Sequence, residues 1–501
     1  MKGGTIQVEA PVSRHDQTIG GVQNSVLFRT AAASVLGLAV LSVAKAEGND
    51  PPAGSPPVFT ALRYDEDYSY LKDPADRTDA FDPIKYIPLT ESGESYLSLG
   101  GQVRDRYEYF QNYNFGSGPQ DPNGYNLVRV LLNADLHLGP HVRVFVQGIS
   151  ATEQGRVGGP RSSDENEFGL QQAFVDFMLP LGADAGLTLR GGRQVIAFGD
   201  QRLIGVSDWT NVRRTFDGAR ATLTSPGNTL DVFYARPVNV KPYEFDDDVP
   251  GTYIAGVYDT WKPHGVWEAA QPAVEAYALY VQRENMTYNT TAATEQRFTL
   301  GTRLTANPRP FDFDVEGDYQ FGRFNDQATH SFSVAVIGGY TFENALLMPR
   351  VFLGSDIASG GQNNNPGNTF DQLFPSGHDQ FGIIDEIGRQ DIIDVHPGVT
   401  FTLLQNKRGA QNVTLLTQYR QFWRESAQDA VYNSSGSVVR AANGSTARGI
   451  GGELDFQLNW QFTRHLSGYA GYCHFFPGAF IAATGPDKPI DFAYWALTFT
   501  F

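Results

Sequence analysis

Cysteine is all but missing: Cys473 is the only one in 501 residues, which excludes an internal disulfide framework and any metal site built from several thiols. Methionine is scarce, at four residues. Positive charge is in deficit, with 38 Lys and Arg against 55 Asp and Glu and a formal net charge of −17. No basic stripe or tail stands out, so nucleic acid is excluded as a partner. The chain has no G-x-S-x-G and no H-E-x-x-H, and His137, His396, His465 and His474 are scattered. No catalytic residue, metal or cofactor is therefore expected. A paired-carboxylate hydrolase built on a barrel remains the alternative from the enzyme class. Long apolar runs are missing too, save one near the start.

That run, Ala31–Val43 (AAASVLGLAVLSV), follows Arg29 and precedes Ala44-Lys45-Ala46, an A-x-A type cleavage site. It is too short to cross a bilayer as a helix and reads as a secretory signal peptide over residues 1–46. The long mixed-charge stretch before Arg29 points to a translation start further in, near Val22 or Val26. Residues 47–95 read as a periplasmic lead-in rich in Pro and acids, with an Asp65-Glu66-Asp67 turn and no periodic apolar face. The lead-in is too short for the plug domain of an energy-coupled transporter.

From Tyr96 onward polarity alternates. In 96–110 the residues Leu97, Leu99, Val103, Tyr107 and Tyr109 share one face, while Gln102, Arg104, Arg106 and Glu108 share the other. The same period-two unit recurs to the last residue, where Phe492–Phe501 (FAYWALTFTF) ends flush on an aromatic. Short links at 139–141, 180–184, 226–227, 306–310, 343–345, 406–410 and 462–463 alternate with long polar ones. The long set is 111–125, 154–167, 197–215, 237–251, 284–294, 357–389, 425–447 and 476–489, with 261–271 and 324–329 departing from the parity. Residues 96–501 are thus expected to be all-β, a transmembrane antiparallel up-and-down barrel of about 18 strands in the bacterial outer membrane. Lipid would meet the apolar face, and Phe492–Phe501 would close the barrel on 96–110.

The face turned inward is rich in arginine: Arg104, Arg106, Arg129, Arg143, Arg190, Arg220, Arg297, Arg303, Arg420 and Arg424. Glu108, Asp135, Asp176, Asp312, Asp314, Glu316, Asp318, Glu453 and Asp455 interleave with them, and lysine is nearly absent there. Two readings stand: a structural ladder of Arg–carboxylate pairs between neighbouring strands, or a basic wall that draws anions through. The 357–389 loop, with Gly360-Gly361 and its run of Asn, is the first candidate to fold inward as a constriction, against a mobile external loop.

The segment Gly192-Arg193-Gln194, Gly199-Asp200, Arg202, Gly205, Trp209, Asn211, Arg213-Arg214, Phe216-Asp217-Gly218 resembles the alginate-export family of outer-membrane barrels. The lead-in residues Asp65-Glu66-Asp67-Tyr68, Lys85-Tyr86-Ile87-Pro88-Leu89 and Tyr96-Leu97-Ser98-Leu99-Gly100-Gly101 are similar to it as well. The resemblance implies an 18-stranded barrel whose arginine-rich pore conducts an anionic polysaccharide outward, with outer-membrane lipid and periplasmic export proteins as partners. A porin importing small anions or carboxylates would use the same barrel. Within the motif, Arg202, Arg213 and Arg214 beside Trp209 read either as a gate for a sugar acid or as a clamp that fixes their loop to the wall.

Overall fold

A computed structural model describes residues 56–263, 265, 268–362, 364–406 and 411–501. The expected signal peptide and the first residues of the lead-in lie outside the described residues. Eighteen long strands run antiparallel, each bonded to the next in sequence. They are β1 (Tyr96–Gln111), β2 (Tyr125–Leu138), β3 (Val142–Gln154), β4 (Asn166–Pro180), β5 (Gly186–Gln194) and β6 (Phe216–Ser225). Next come β7 (Asn228–Asn239), β8 (Tyr253–Trp261), β9 (Ala273–Tyr288), β10 (Thr291–Ala306), β11 (Phe311–Phe324) and β12 (Gln327–Thr341). The last six are β13 (Arg350–Ala358), β14 (Ile392–Asn406), β15 (Gln411–Trp423), β16 (Gly449–Gln461), β17 (Leu466–Pro477) and β18 (Ile490–Thr500). Closure is direct, because β18 pairs with β1 from Gln102 opposite Thr500 to Gln111 opposite Asp491. The sheet therefore has no free edge.

The burial pattern is inside-out relative to a soluble sheet. Along β10, Glu295, Arg297, Thr299 and Arg303 are buried, while Phe298, Leu300 and Leu304 between them are exposed. In β18, Tyr494, Ala496 and Thr498 face inward, and Trp495, Leu497 and Phe499 face out. A strand with its apolar side chains outside and its charges inside has a favourable environment only when lipid covers the outer wall.

The long connections 112–124, 155–165, 195–215, 240–252, 359–391, 424–448 and 478–489 lie at one end, and the chain terminus lies at the other together with the 262–272 link, which departs from the parity as the sequence indicates. The 284–294 connection is not a loop. There β9 and β10 continue past a bulge after Arg283, pairing Met286 with Ala293 and Tyr288 with Thr291, so only two residues turn the chain. Tyr288 explains this: it is fully buried against Phe324 and donates to Glu295, so the hairpin carries an inward-packed aromatic behind its polar surface. The β11–β12 link is a two-residue turn as well, at 325–326.

The lead-in is more built than its composition suggests. Short 3₁₀ turns bring Tyr68, Leu71, Tyr86 and Tyr96 into one buried cluster. Tyr64 enters the barrel mouth, meets Phe145 and Phe174 edge-on, and donates to the Val195 carbonyl at 3.0 Å. Arg63 donates to the Phe501 carbonyl at 2.9 Å, and Phe81 stacks on the Phe501 ring. The segment thus crosses the seam between β1 and β18 at the end opposite the long loops.

Lipid contact on the outer wall sets a sharp expectation for one position. Leu300→Arg, on the exposed face of β10, should destabilise the barrel by about 2–4 kcal/mol. Denaturant titration in lipid vesicles, followed by the mobility shift of folded barrel on unboiled gels, measures this; an unchanged midpoint would place Leu300 off the lipid face.

Candidate functional site

Two long loops turn into the barrel and meet. The 195–215 loop and the 359–391 loop join through a parallel bridge between Ile204 and Phe374, with Phe374 N donating to the Leu203 carbonyl at 2.8 Å and Gly205 N to the Phe374 carbonyl at 2.9 Å. Leu203, Ile204, Phe370, Leu373, Phe374, Phe381, Ile383, Ile384 and Ile387 are buried there, so an apolar core forms inside an otherwise polar wall. Of the two readings of the 357–389 loop, the inward fold is the one present, with 195–215 as its partner.

The wall arginines hold these loops. Arg104 and Arg129 donate to the Asp208 carbonyl at 2.7 and 3.1 Å, and Arg106 donates to the Trp209 carbonyl. The Asp208 carboxylate pairs with Arg129 at 2.8 Å and Arg213 at 2.5 Å. Burial opposes its ionisation, but Arg129, Arg213 and Arg104 outweigh that and hold the carboxyl well below the usual range. Asn211 completes the anchor by donating to the carbonyls of Val128, Thr152 and Asp164. Across the lumen, Arg297 binds Glu295 at 2.6 Å and donates to the carbonyls of Gly367 and Thr369 in the other loop. Arg420 pairs with Asp394 at 2.8 Å and reaches the carbonyls of Asp379 and Gln380. Arg424 donates to the carbonyls of Asp429, Ser445 and Ala447.

The remaining inward arginines join neighbouring strands or the lead-in. Arg143 pairs with Asp135 at 2.6 Å and donates to the Tyr64 carbonyl. Arg190 pairs with Asp176 at 2.8 Å and lies over the Tyr64 ring; Arg220 pairs with Asp231 at 2.7 Å. Arg303 bridges Asp314 at 2.7 Å and Glu275 at 3.1 Å. Of the motif residues, Arg193 pairs with Asp217 at 2.8 Å, and Gln194 is buried beside the Gly192 and Gly218 carbonyls. Arg202 reaches Glu316 at 2.7 Å and Asp200 at 3.0 Å. Arg202 thus ties its loop to the wall, while Arg213 pairs within the loop, with Asp208, and donates to the Ala61 carbonyl of the lead-in.

A cavity of about 500 Å³ is lined by residues of these two loops and of neighbouring long connections. Its floor is Trp209, stacked on His378 at 3.7 Å between ring centres and underlain by Arg106. Arg161, Arg213 and Arg214 are among its basic lining residues, and Asp385 and Glu386 among its acidic ones. Arg104 and Arg424 also lack a carboxylate partner, but each spends its donors on several carbonyls, whereas Arg214 meets only one. It donates to the Pro375 carbonyl at 2.6 Å, and among the described residues no carboxylate pairs with it. Burial, with a smaller effect of nearby Arg283, lowers its pKa to about 10, still charged at neutral pH. Sequence reading named Arg213 and Arg214 as motif residues but gave no site role to Asp208, His378 or Glu386, whose partners, Arg129, Trp209 and Asn114 respectively, lie far off in the chain. A second cavity, of about 570 Å³, lies at the short-turn end between the lead-in and Arg143.

A sequence model of the family described as alginate export matches residues 95–491. The chain belongs to the alginate export family. A search of curated proteins finds no match. Among solved structures, a BenF-like porin from Pseudomonas fluorescens Pf-5 has the same fold at 9% identity, covering 81% of this chain and 98% of its own, with a TM-score of 0.54. Pseudomonas aeruginosa OccD3 (OpdP) follows at 10% identity, 81% and 91% coverage and 0.53. Pseudomonas aeruginosa OpdQ is similar at 11% identity, 83% and 99% coverage and 0.52. This family member is an outer-membrane channel protein of the bacterial envelope.

Glu386 gives the cavity a pH dependence. Burial raises its pKa to about 7; the Asn114 backbone N–H, Arg440 and Arg161 pull the other way, and Asp385 adds to the rise. The folded state therefore holds this proton more tightly than the unfolded chain, and the associated stability fades as pH rises through about 7. Above that pH the cavity gains a negative charge. Anion current in planar bilayers should accordingly rise as pH falls from 8 to about 6, and Glu386→Gln should flatten the step; a step of the same size in the variant would assign it to another group.

Proposed function

We propose that this channel passes carboxylate-bearing carbohydrate across the outer membrane, with the cavity above Trp209 as its binding station at the outer end. The observation that carries the proposal is Arg214: a charged guanidinium facing that cavity without a carboxylate partner, so its remaining N–H groups are open to a solute. The family supports an anionic polysaccharide as cargo. The aromatic floor of Trp209 and His378 supplies an apolar edge against which a sugar ring can lie, and Arg213 adds positive potential behind it.

The filled lumen favours a second reading, that the cargo is a single sugar acid or another small carboxylate. Two loops occupy the interior and the lead-in occupies the periplasmic mouth, and the cavities they leave are in the size range of small-molecule sites. Both readings place selectivity in the same residues. They differ in whether a polymer end or a monomer blocks the pore.

Planar-bilayer recording separates them. The channel should be anion-selective, and a hexuronate should interrupt chloride current where the matching neutral hexose does not. Arg214→Ala should weaken that block by about tenfold, the worth of one charge-assisted hydrogen bond. Block by a long polyuronate but not by the monomer would favour the polymer; cation selectivity in the wild-type channel would overturn both readings.

A further inference from the structure

One acidic pair on the inner wall makes no ion pair among the described residues. Glu453 and Asp455 are two positions apart on β16, so they share its inward face, and Asp455 stands directly across from Cys473 on β17. All three side chains are fully buried. One oxygen of each carboxylate is occupied: Ile384 N donates to Glu453 Oε1 at 2.9 Å, and Gln418 Nε2 donates to Asp455 Oδ2 at 2.9 Å. The other two oxygens, Glu453 Oε2 and Asp455 Oδ1, are buried with no donor from the rest of the wall or from the loops, and Asp455 lies within hydrogen-bonding reach of both Glu453 and the Cys473 thiol. A donor atom from each of the two acids and Cys473 Sγ lie within 4.8 Å of one another.

Neighbouring acids on the same wall are answered by guanidinium groups. Asp394 has Arg420 at 2.8 Å, and Asp356 has Arg389 at 2.8 Å. Arg420 stands opposite Glu453 in the strand register, yet its guanidinium turns to Asp394 and to the carbonyls of Asp379 and Gln380. Two adjacent buried carboxylates that form no ion pair are costly, and here their remaining oxygens converge on the only thiol in the chain.

We propose that Glu453, Asp455 and Cys473 bind one divalent transition-metal ion of the zinc type. Two carboxylates and a thiolate supply three ligands and leave a fourth position for water. The charge of the ion offsets the carboxylates, and the thiol proton leaves to solvent on binding. A sulfur ligand argues against calcium or magnesium, which take oxygen sets. Donors bound tetrahedrally to one zinc ion lie about 3.5 Å apart, so the cluster needs only side-chain adjustment. The ion would also act on the lumen. Glu453 holds Ile384, and Gly382 packs on the same carboxylate, so a metal on Glu453 fixes that part of the 359–391 loop to β16.

The test uses the full-length folded barrel in detergent, stripped with a chelator and titrated with Zn²⁺ against a chromophoric competitor, then with Co²⁺. The wild-type protein should bind about one ion per chain and show thiolate-to-cobalt charge-transfer absorption. Cys473→Ser should abolish that absorption, and Glu453→Gln should weaken zinc binding by more than tenfold. The wild-type cobalt spectrum stands alone if a variant fails to fold. Absence of stoichiometric zinc binding by wild-type protein, or cobalt binding without a thiolate band, overturns the proposal and leaves a proton shared between the two carboxylates as the neutralising device.

Discussion

The pairing of inward guanidinium groups is the interaction on which the interior depends. A barrel that gives its apolar side chains to lipid must bury polar ones inside, and charges there persist only when matched. Arginine meets this need better than lysine because its planar fork binds two acceptors at once. Arg303 spans Asp314 and Glu275, and Arg129 spans the Asp208 carboxylate and the Gln102 side chain. Such contacts join strands to each other and to the loops inside them.

The same chemistry explains why two polar loops lie inside the barrel. The 195–215 loop presents a run of carbonyls, Asp208 to Thr210, to Arg104, Arg106 and Arg129. The 359–391 loop presents the Gly367 and Thr369 carbonyls to Arg297. With their polar backbone answered by the wall, the loops turn Ile204, Phe374 and Ile383 toward one another. Wall arginines thus stand in for the water that exposed loops would use, and the apolar contacts between the loops add a second, cooperative attachment.

The strands were legible because their signal is local. Alternation along β1 and β18 needs no distant partner, and alternation of connection lengths follows from the up-and-down topology alone. The inward arginines were legible by the same parity. What escaped was non-local. Nothing near Tyr288 indicates that it packs on Phe324, so the β9–β10 hairpin reads as a polar loop. The lead-in has no periodic face because its buried tyrosines rest on the barrel rim rather than on each other along one helix or strand. Asp208 and Glu386 carry no motif, and their environments exist only once the loops have folded inward.

Counting arginines is therefore a poor measure of how the channel treats anions. A guanidinium that already satisfies a carboxylate contributes little net potential, and its donors are spent. Arg143, Arg190, Arg220 and Arg303 are each matched in this way. Arg104 and Arg424 spend their donors on carbonyls, keeping a formal charge but no open fork. Recognition by hydrogen bonding needs a group with charge, free donors and a space in front of it. Arg214 combines the three, on a loop that the better-matched arginines hold in place. In that arrangement the paired arginines serve selectivity indirectly, by making the position of an unpaired one definite.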